Sequence, residues 1–97
     1  MARAFRFHPA ADQEFTDAAE WYEERQPGLG KEFVAAVRAK IDQVLEAPQR
    51  WRLVNGTRRA LLGRFPYCIV YRELTGDELE IVAVAHGKRR PTYWTGR

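Results

Sequence analysis

Arg58-Arg59-Ala60-Leu61-Leu62-Gly63-Arg64-Phe65-Pro66-Tyr67-Cys68-Ile69-Val70-Tyr71-Arg72, followed after a short gap by Glu80-Ile81-Val82-Ala83-Val84-Ala85-His86-Gly87-Lys88-Arg89-Arg90, is the stretch that decides the fold. Tyr67 to Tyr71 and Leu79 to Val84 are rich in aromatic and β-branched residues, which suit a pleated, buried surface. Thr75-Gly76-Asp77 lies between them and carries turn chemistry: Gly accepts positive φ, and Asp can bond its own backbone. The two runs therefore read as a β-hairpin. Arginines stand before its first strand and after its second, and the second strand ends on His86. A rigid apolar hairpin with cations and one imidazole at its ends suits a polyanion site.

Working outward, Thr57 to Leu62 reads as a further strand, with Arg59 and Leu61 on one face and Arg58, Ala60 and Leu62 on the other. Gln49 to Gly56 reads as a polar loop. Upstream, Phe33, Val34, Val37, Ile41, Val44 and Leu45 recur at helical spacing and Pro48 closes the run. Phe15, Ala18, Ala19 and Tyr22 fall at i, i+3, i+4 and i+7, the apolar stripe of an earlier helix. That helix starts after Pro9 and stops by Pro27-Gly28. With Gly28-Leu29-Gly30 as the connection, the two helices should pack as an antiparallel hairpin. Phe5-Arg6-Phe7-His8 alternates as a short first strand. The order β-α-α-β-β-β predicts an α+β domain, an antiparallel sheet covered on one face by a helical hairpin.

The chain has 97 residues, the length of one domain. Met1-Ala2-Arg3 leads toward the first strand without an apolar run, so neither a signal peptide nor a membrane span is expected and a cytoplasmic location is. The lone Cys68 cannot form an intrachain disulfide, and its apolar neighbours suggest a buried, inert thiol. The net charge of +3 hides an asymmetry: residues 1–48 carry 6 Lys/Arg against 9 Asp/Glu, and residues 49–97 carry 10 against 4. Such a split fits either two solvated faces of opposite sign or a basic face for nucleic acid or an acidic partner.

Several segments, taken in order, resemble one family. They are Phe7-His8-Pro9-Ala10-Ala11, Trp21-Tyr22-Glu23-Glu24-Arg25 with Pro27-Gly28-Leu29-Gly30, the Arg58–Tyr67 run with Ile69-Val70-Tyr71-Arg72, and Val84-Ala85-His86-Gly87-Lys88-Arg89-Arg90-Pro91. Across nearly the whole chain they resemble the RelE/ParE superfamily of bacterial toxins from type II toxin–antitoxin systems, of the plasmid stabilisation type. The resemblance implies a toxin neutralised by a cognate antitoxin in a hetero-oligomer, with an acidic or amphipathic antitoxin segment on the basic face or the apolar helical groove. It leaves the target open. ParE-like members poison DNA gyrase, and RelE-like members cleave messenger RNA on the ribosome. The helical-hairpin sequence and the His86-Gly87 ending resemble the ParE-like side, and the tail keeps residue types that RelE-like nucleases use. A copy that only binds its antitoxin is the third reading.

On the RelE-like reading, metal-independent cleavage needs a group to deprotonate or orient the 2′-hydroxyl, cations on the phosphorane, and an acid for the leaving oxygen. The candidates are His86, Arg64, Arg89 and Tyr93. A lone His at a strand end, such as His86, is more often a structural hydrogen-bonder than a catalyst. Arg58, Arg59, Arg64, Lys88, Arg89 and Arg90 are the candidate nucleic-acid or partner-binding residues, or else solvated flanks of strands. Trp94 reads as a cap on the core, Glu23-Glu24 as helix surface, and Trp21 and Trp51 as core or partner-facing. His8, Cys68 and His86 lack the spacing of a metal site, and no cofactor is expected.

Overall fold

The computed structural model describes Ala2, residues 4–90 and residues 92–97. Met1 and Arg3, from the start of the chain, and Pro91, which closes the His86–Pro91 motif, lie outside the described residues. β1 (Ala4–Phe7) leads into α1 (Pro9–Arg25) and α2 (Leu29–Glu46). Then come β2 (Leu53–Val54), β3 (Thr57–Leu61), β4 (Tyr67–Glu73) and β5 (Glu78–His86). The sheet order is β1-β5-β4-β3-β2.

The sheet differs from the sequence expectation in two ways. It is mixed, because β1 runs parallel to β5 while the other neighbours are antiparallel. The helical hairpin takes the chain away from β1, and the last strand returns beside it in the same direction. The polar loop also contains a fifth strand, β2. Asn55 (φ 50°) and Gly56 (φ 80°) both adopt positive φ, as a tight two-residue hairpin turn requires. They pair Leu53 with Arg58 and Val54 with Thr57.

Local chemistry explains the helix ends. His8 caps α1, its Nδ1 accepting the Ala10 N–H at 3.1 Å, and Pro9 fills the first helical position. Gly28 begins α2 at φ 90° and has no side chain to cap it. Glu23 on α1 supplies the cap instead, accepting the Gly28 and Gly30 N–H groups at 2.9 and 3.0 Å. Glu23 is thus more than the helix surface expected of it. Gly30 is required by close approach: a Cβ there would lie 2.6 Å from the Ala19 carbonyl oxygen.

The main core lies between the helices and the sheet. Phe33 is fully buried at its centre, with Phe15, Tyr22, Phe65 and Tyr67 rings 5.2–6.1 Å from it. Tyr71 is also fully buried, and its hydroxyl donates to the Pro48 carbonyl at 2.6 Å, tying the end of α2 to β4. Burial pushes its phenol up to about 12. A second, smaller cluster of Cys68, Val70, Val82, Ala83, Ala85 and Trp94 forms with Tyr93 against it. Trp94 is buried in it, as a capping residue should be, and burial pushes the Cys68 thiol up, away from the reactive thiolate.

One irregularity in β5 decides what the helices face. Val70 stands opposite Ala83 but Tyr71 opposite Ile81, so Val82 is an extra residue on β5. Before it, Leu79 and Ile81 belong to the helix-side core. Val82, Ala83 and Ala85 belong to the other cluster, and Val84 returns to the helix side. This β-bulge resets the alternation of the strand. His86, two residues beyond Val84, is thereby brought to the side of α1.

Phe33→Ala should leave a cavity in the centre of the aromatic cluster and destabilise the fold by about 3–5 kcal/mol. Denaturant unfolding of the two proteins checks this; a loss below about 1 kcal/mol would show that the cluster collapses into the space.

Candidate functional site

The site is a groove of about 590 Å³ between α1 and the far end of the β4–β5 hairpin. Asp17, Ala18, Trp21 and Tyr22 line it from α1, Pro66 and Tyr67 from the start of β4, and Val84 and His86 from β5. Glu14 lies at its α1 end and Arg89 on the turn beyond β5. Helical spacing from Glu14 through Asp17 and Ala18 to Trp21 puts these residues along one side of α1. The bulge supplies Val84 and His86.

His86 packs edge-on to Tyr67, with ring centroids 5.0 Å apart. Its Nδ1 accepts the Lys88 backbone N–H at 3.0 Å. The neutral ring therefore carries its proton on Nε2. In that tautomer the ring presents its Nε2–H as a donor, while Nδ1 is engaged by the Lys88 N–H. Tyr67 and Tyr22 both have phenols pushed up by burial, and Tyr67 is raised further by Tyr22. Both stay protonated at neutral pH.

Arg89 stacks on Tyr93 with its guanidinium 3.9 Å from the ring centre. Arg97 approaches the same ring at 5.1 Å. The Tyr93 hydroxyl is buried and, among the described residues, completes no hydrogen bond. It lies close enough to Glu14 for the two groups to perturb each other. Burial first, and then the Glu14 carboxylate, push the phenol far up. Glu14 itself forms a two-pronged pair with Arg97, both N–O distances being 3.0 Å, and also accepts the Val84 N–H at 3.1 Å. Burial raises the Glu14 carboxyl, but Arg97, Tyr93 and Val84 outweigh it and hold it below its ordinary 4.5.

The structure thus brings His86, Arg89 and Tyr93 into one neighbourhood. Arg64 stands outside the groove-lining set. It pairs with Glu32 of α2 at 2.6 Å and lies over Phe65 at 5.2 Å. Arg58 donates to the Trp51 carbonyl, and Arg59 lies over Trp94 at 5.3 Å, so both make contacts within the fold. Lys88 and Arg90 are exposed on the turn after β5. Trp21 is half exposed on the groove, with the Arg25 guanidinium 3.9 Å above its ring. Sequence reasoning missed Glu14 and Arg97. Glu14 falls one position from the apolar stripe of α1 and, with Asp12 and Asp17, in or near its first turns, where the helix dipole favours anions; neither signal points to a distant partner. Among the described residues no cluster of three or more His, Cys, Asp or Glu could hold a metal ion, and no helix is long and apolar enough to cross a membrane.

This arrangement sits on a chain whose relatives are recognisable. The family model described as the ParE toxin of the type II toxin–antitoxin system, parDE, matches residues 5–91. The chain belongs to this toxin family. Toxin RelE1 of Caulobacter vibrioides is 31% identical over 80 residues, covering 79% of this chain and 85% of that toxin. A chain of the solved chromosomal ParDE TA system from P. aeruginosa superposes with a TM-score of 0.60 at 21% identity, over 86% of this chain and 94% of its own. The resemblance to the RelE/ParE superfamily read from the motifs is therefore correct, and the shared fold is α+β with a mixed sheet.

Two outcomes follow. Tyr93→Phe removes a buried hydroxyl that completes no hydrogen bond among the described residues, so the thermal midpoint should stay equal or rise; a fall would mean that the hydroxyl bonds the Glu14 carboxylate that it perturbs. Glu14 is depressed in the folded state relative to the unfolded chain, so its stabilisation is complete above the unfolded value and is lost as pH falls through the folded one. Acid unfolding of wild type and Glu14→Gln should therefore differ most above the ordinary 4.5 and draw together as pH falls through the depressed folded value. Curves that stay parallel across that window would show that the pair contributes no linkage.

Proposed function

We propose that this protein is a ParE-like toxin that arrests growth by binding DNA gyrase rather than by cleaving RNA, and that a cognate antitoxin neutralises it. The observation that carries the reading is the Lys88 contact to His86 Nδ1. It leaves the one imidazole of the groove as a donor, whereas a ribonuclease needs a base for the 2′-hydroxyl. Three further features agree. Tyr93, the candidate acid, has a buried hydroxyl beside Glu14, and Arg89 covers its ring. Arg64 is already paired with Glu32. Asp17, which accepts a hydrogen bond from Gln13 at 2.7 Å, shares the groove with His86 and Arg89, and its carboxylate disfavours a phosphate there.

The same groove suits a protein surface. Trp21 is exposed and flanked by Arg25, and Trp and Arg are the residue types that anchor protein interfaces. The family description, a toxin of a parDE system, and the ParDE title of the structural neighbour support a partner antitoxin and the ParE-like side. The name of the relative Toxin RelE1 supports the RelE-like alternative, with His86 and Arg89 acting on messenger RNA at the ribosome.

A paired assay on purified protein separates the readings. Gyrase supercoiling should be inhibited, with cleavage complexes accumulating, while message in a cell-free translation reaction stays intact. Cut message with gyrase unaffected would overturn the proposal in favour of the nuclease. Activity in neither arm would leave an antitoxin-binding remnant. His86→Ala adds a second check: a folded variant that loses 10²–10⁴-fold in effect behaves as if an acid–base catalyst had been removed, and a smaller loss is expected here.

A further inference from the structure

β1 pairs with β5 only from Glu78 to Ile81, with the His8 N–H closing the ladder on the Ile81 carbonyl at 2.9 Å. Beyond that point β5 continues for five residues with a strand on one side only. A buried strand backbone without partners is unfavourable, and the bulge at Val82 disrupts the ladder further. Two side chains take the place of the missing strand. Arg97 donates to the Val82 carbonyl at 3.0 Å and Glu14 accepts the Val84 N–H at 3.1 Å. Their own ion pair, with side chains only 19% and 15% exposed, joins the two caps. Arg72, paired with Glu80, donates to the Arg97 carbonyl at 3.0 Å and anchors the tail from the far side.

We propose that Glu14 is a positioning residue: through the β5 bulge it orients His86, and through Arg97 and Tyr93 it orients Arg89, with no hydrogen bond to either. One arm runs from the carboxylate to the Val84 N–H, two residues before His86. The other runs from the carboxylate to the Arg97 guanidinium, which lies against the Tyr93 ring on which Arg89 stacks. One carboxylate therefore sets both the imidazole and the guanidinium of the groove. The pair also differs in kind from Arg64–Glu32 and Arg6–Glu78, whose side chains are largely exposed and whose contribution is correspondingly screened. The functional meaning rests on the groove being the face that engages the target, as proposed above.

The two arms predict different spectra in two variants. Gln at position 14 keeps an acceptor for Val84 but removes the charge opposite Arg97. In ¹⁵N-labelled full-length protein, Glu14→Gln should shift or broaden the Arg89 Nε–H signal and leave the His86 ring nitrogens close to wild type. Glu14→Ala should disturb both. If Glu14→Ala does not fold, Arg97→Lys takes its place: it keeps the charge but loses the two-pronged geometry, and should release Arg89, with a smaller effect on His86 because the Glu14–Val84 bond remains while the Arg97 contact to the Val82 carbonyl is lost. A folded Glu14→Gln or Arg97→Lys with lower thermal stability and an unchanged Arg89 signal would overturn the proposal, because the pair would then be a staple and nothing more.

These readings need no target. In the target assay, Glu14→Gln should raise the inhibitory concentration roughly 10–100-fold, by analogy with the outer partners of metal ligands. A loss of that size with an unchanged Arg89 signal would mean that Glu14 meets the target directly, and would also overturn it. An altered Arg89 signal with full inhibition would uphold the positioning and reject the groove as the target face.

Discussion

β5 outruns β1, and much of the structure answers to that mismatch. The strand is nine residues long and its parallel neighbour four. Backbone groups past Ile81 must still find partners, because an orphaned buried N–H or C=O sacrifices the strength of a whole hydrogen bond. Side chains from α1 and from the tail supply those partners. Glu14 and Arg97 thus close the edge of the sheet and hold the helix, the last strand and the C-terminal residues together. An edge closed by an ion pair also resists the addition of a foreign strand.

The bulge within the same stretch also decides which β5 side chains line the groove. In a regular strand, Leu79 and Ile81 would share the helix side with Ala83 and Ala85, and His86 would point the other way. The extra residue Val82 inverts this, so Val84 enters the core and His86 reaches the groove. Local irregularity of this kind is common beside functional sites because it re-aims a side chain without rebuilding the sheet. The aromatic cluster around Phe33 gives the rigid backing: Tyr22 and Tyr67 belong to the core on one side and to the groove on the other.

The charge asymmetry between the halves of the chain does not become a uniformly basic surface at the site. Arg58, Arg59 and Arg64 are drawn into contacts with Trp51, Trp94 and Glu32. Arg97 is neutralised by Glu14. His86 and Arg89 share their groove with Asp17 and an exposed Trp21, a lining of mixed charge and aromatic character.

Periodicity and punctuation determined the two helices, the β4–β5 hairpin and the faces of β3, because each depends on residues adjacent in the chain. Ala60 turns inward and Leu61 outward, as the alternation required. Motif order determined the toxin family. The Asn55-Gly56 turn carried a legible signal for β2, but the polar residues around it read as a loop. Three things were settled only by the tertiary structure. The parallel pairing of β1 with β5 joins segments more than seventy residues apart. The bulge at Val82 arises from the register of two strands, and the Val82-Ala83-Val84 sequence alone leaves it unmarked. The partnership of Glu14 with Arg97 spans 83 positions. Local spacing encodes which face a residue takes on its own element; which distant charge meets it there is decided when the elements pack.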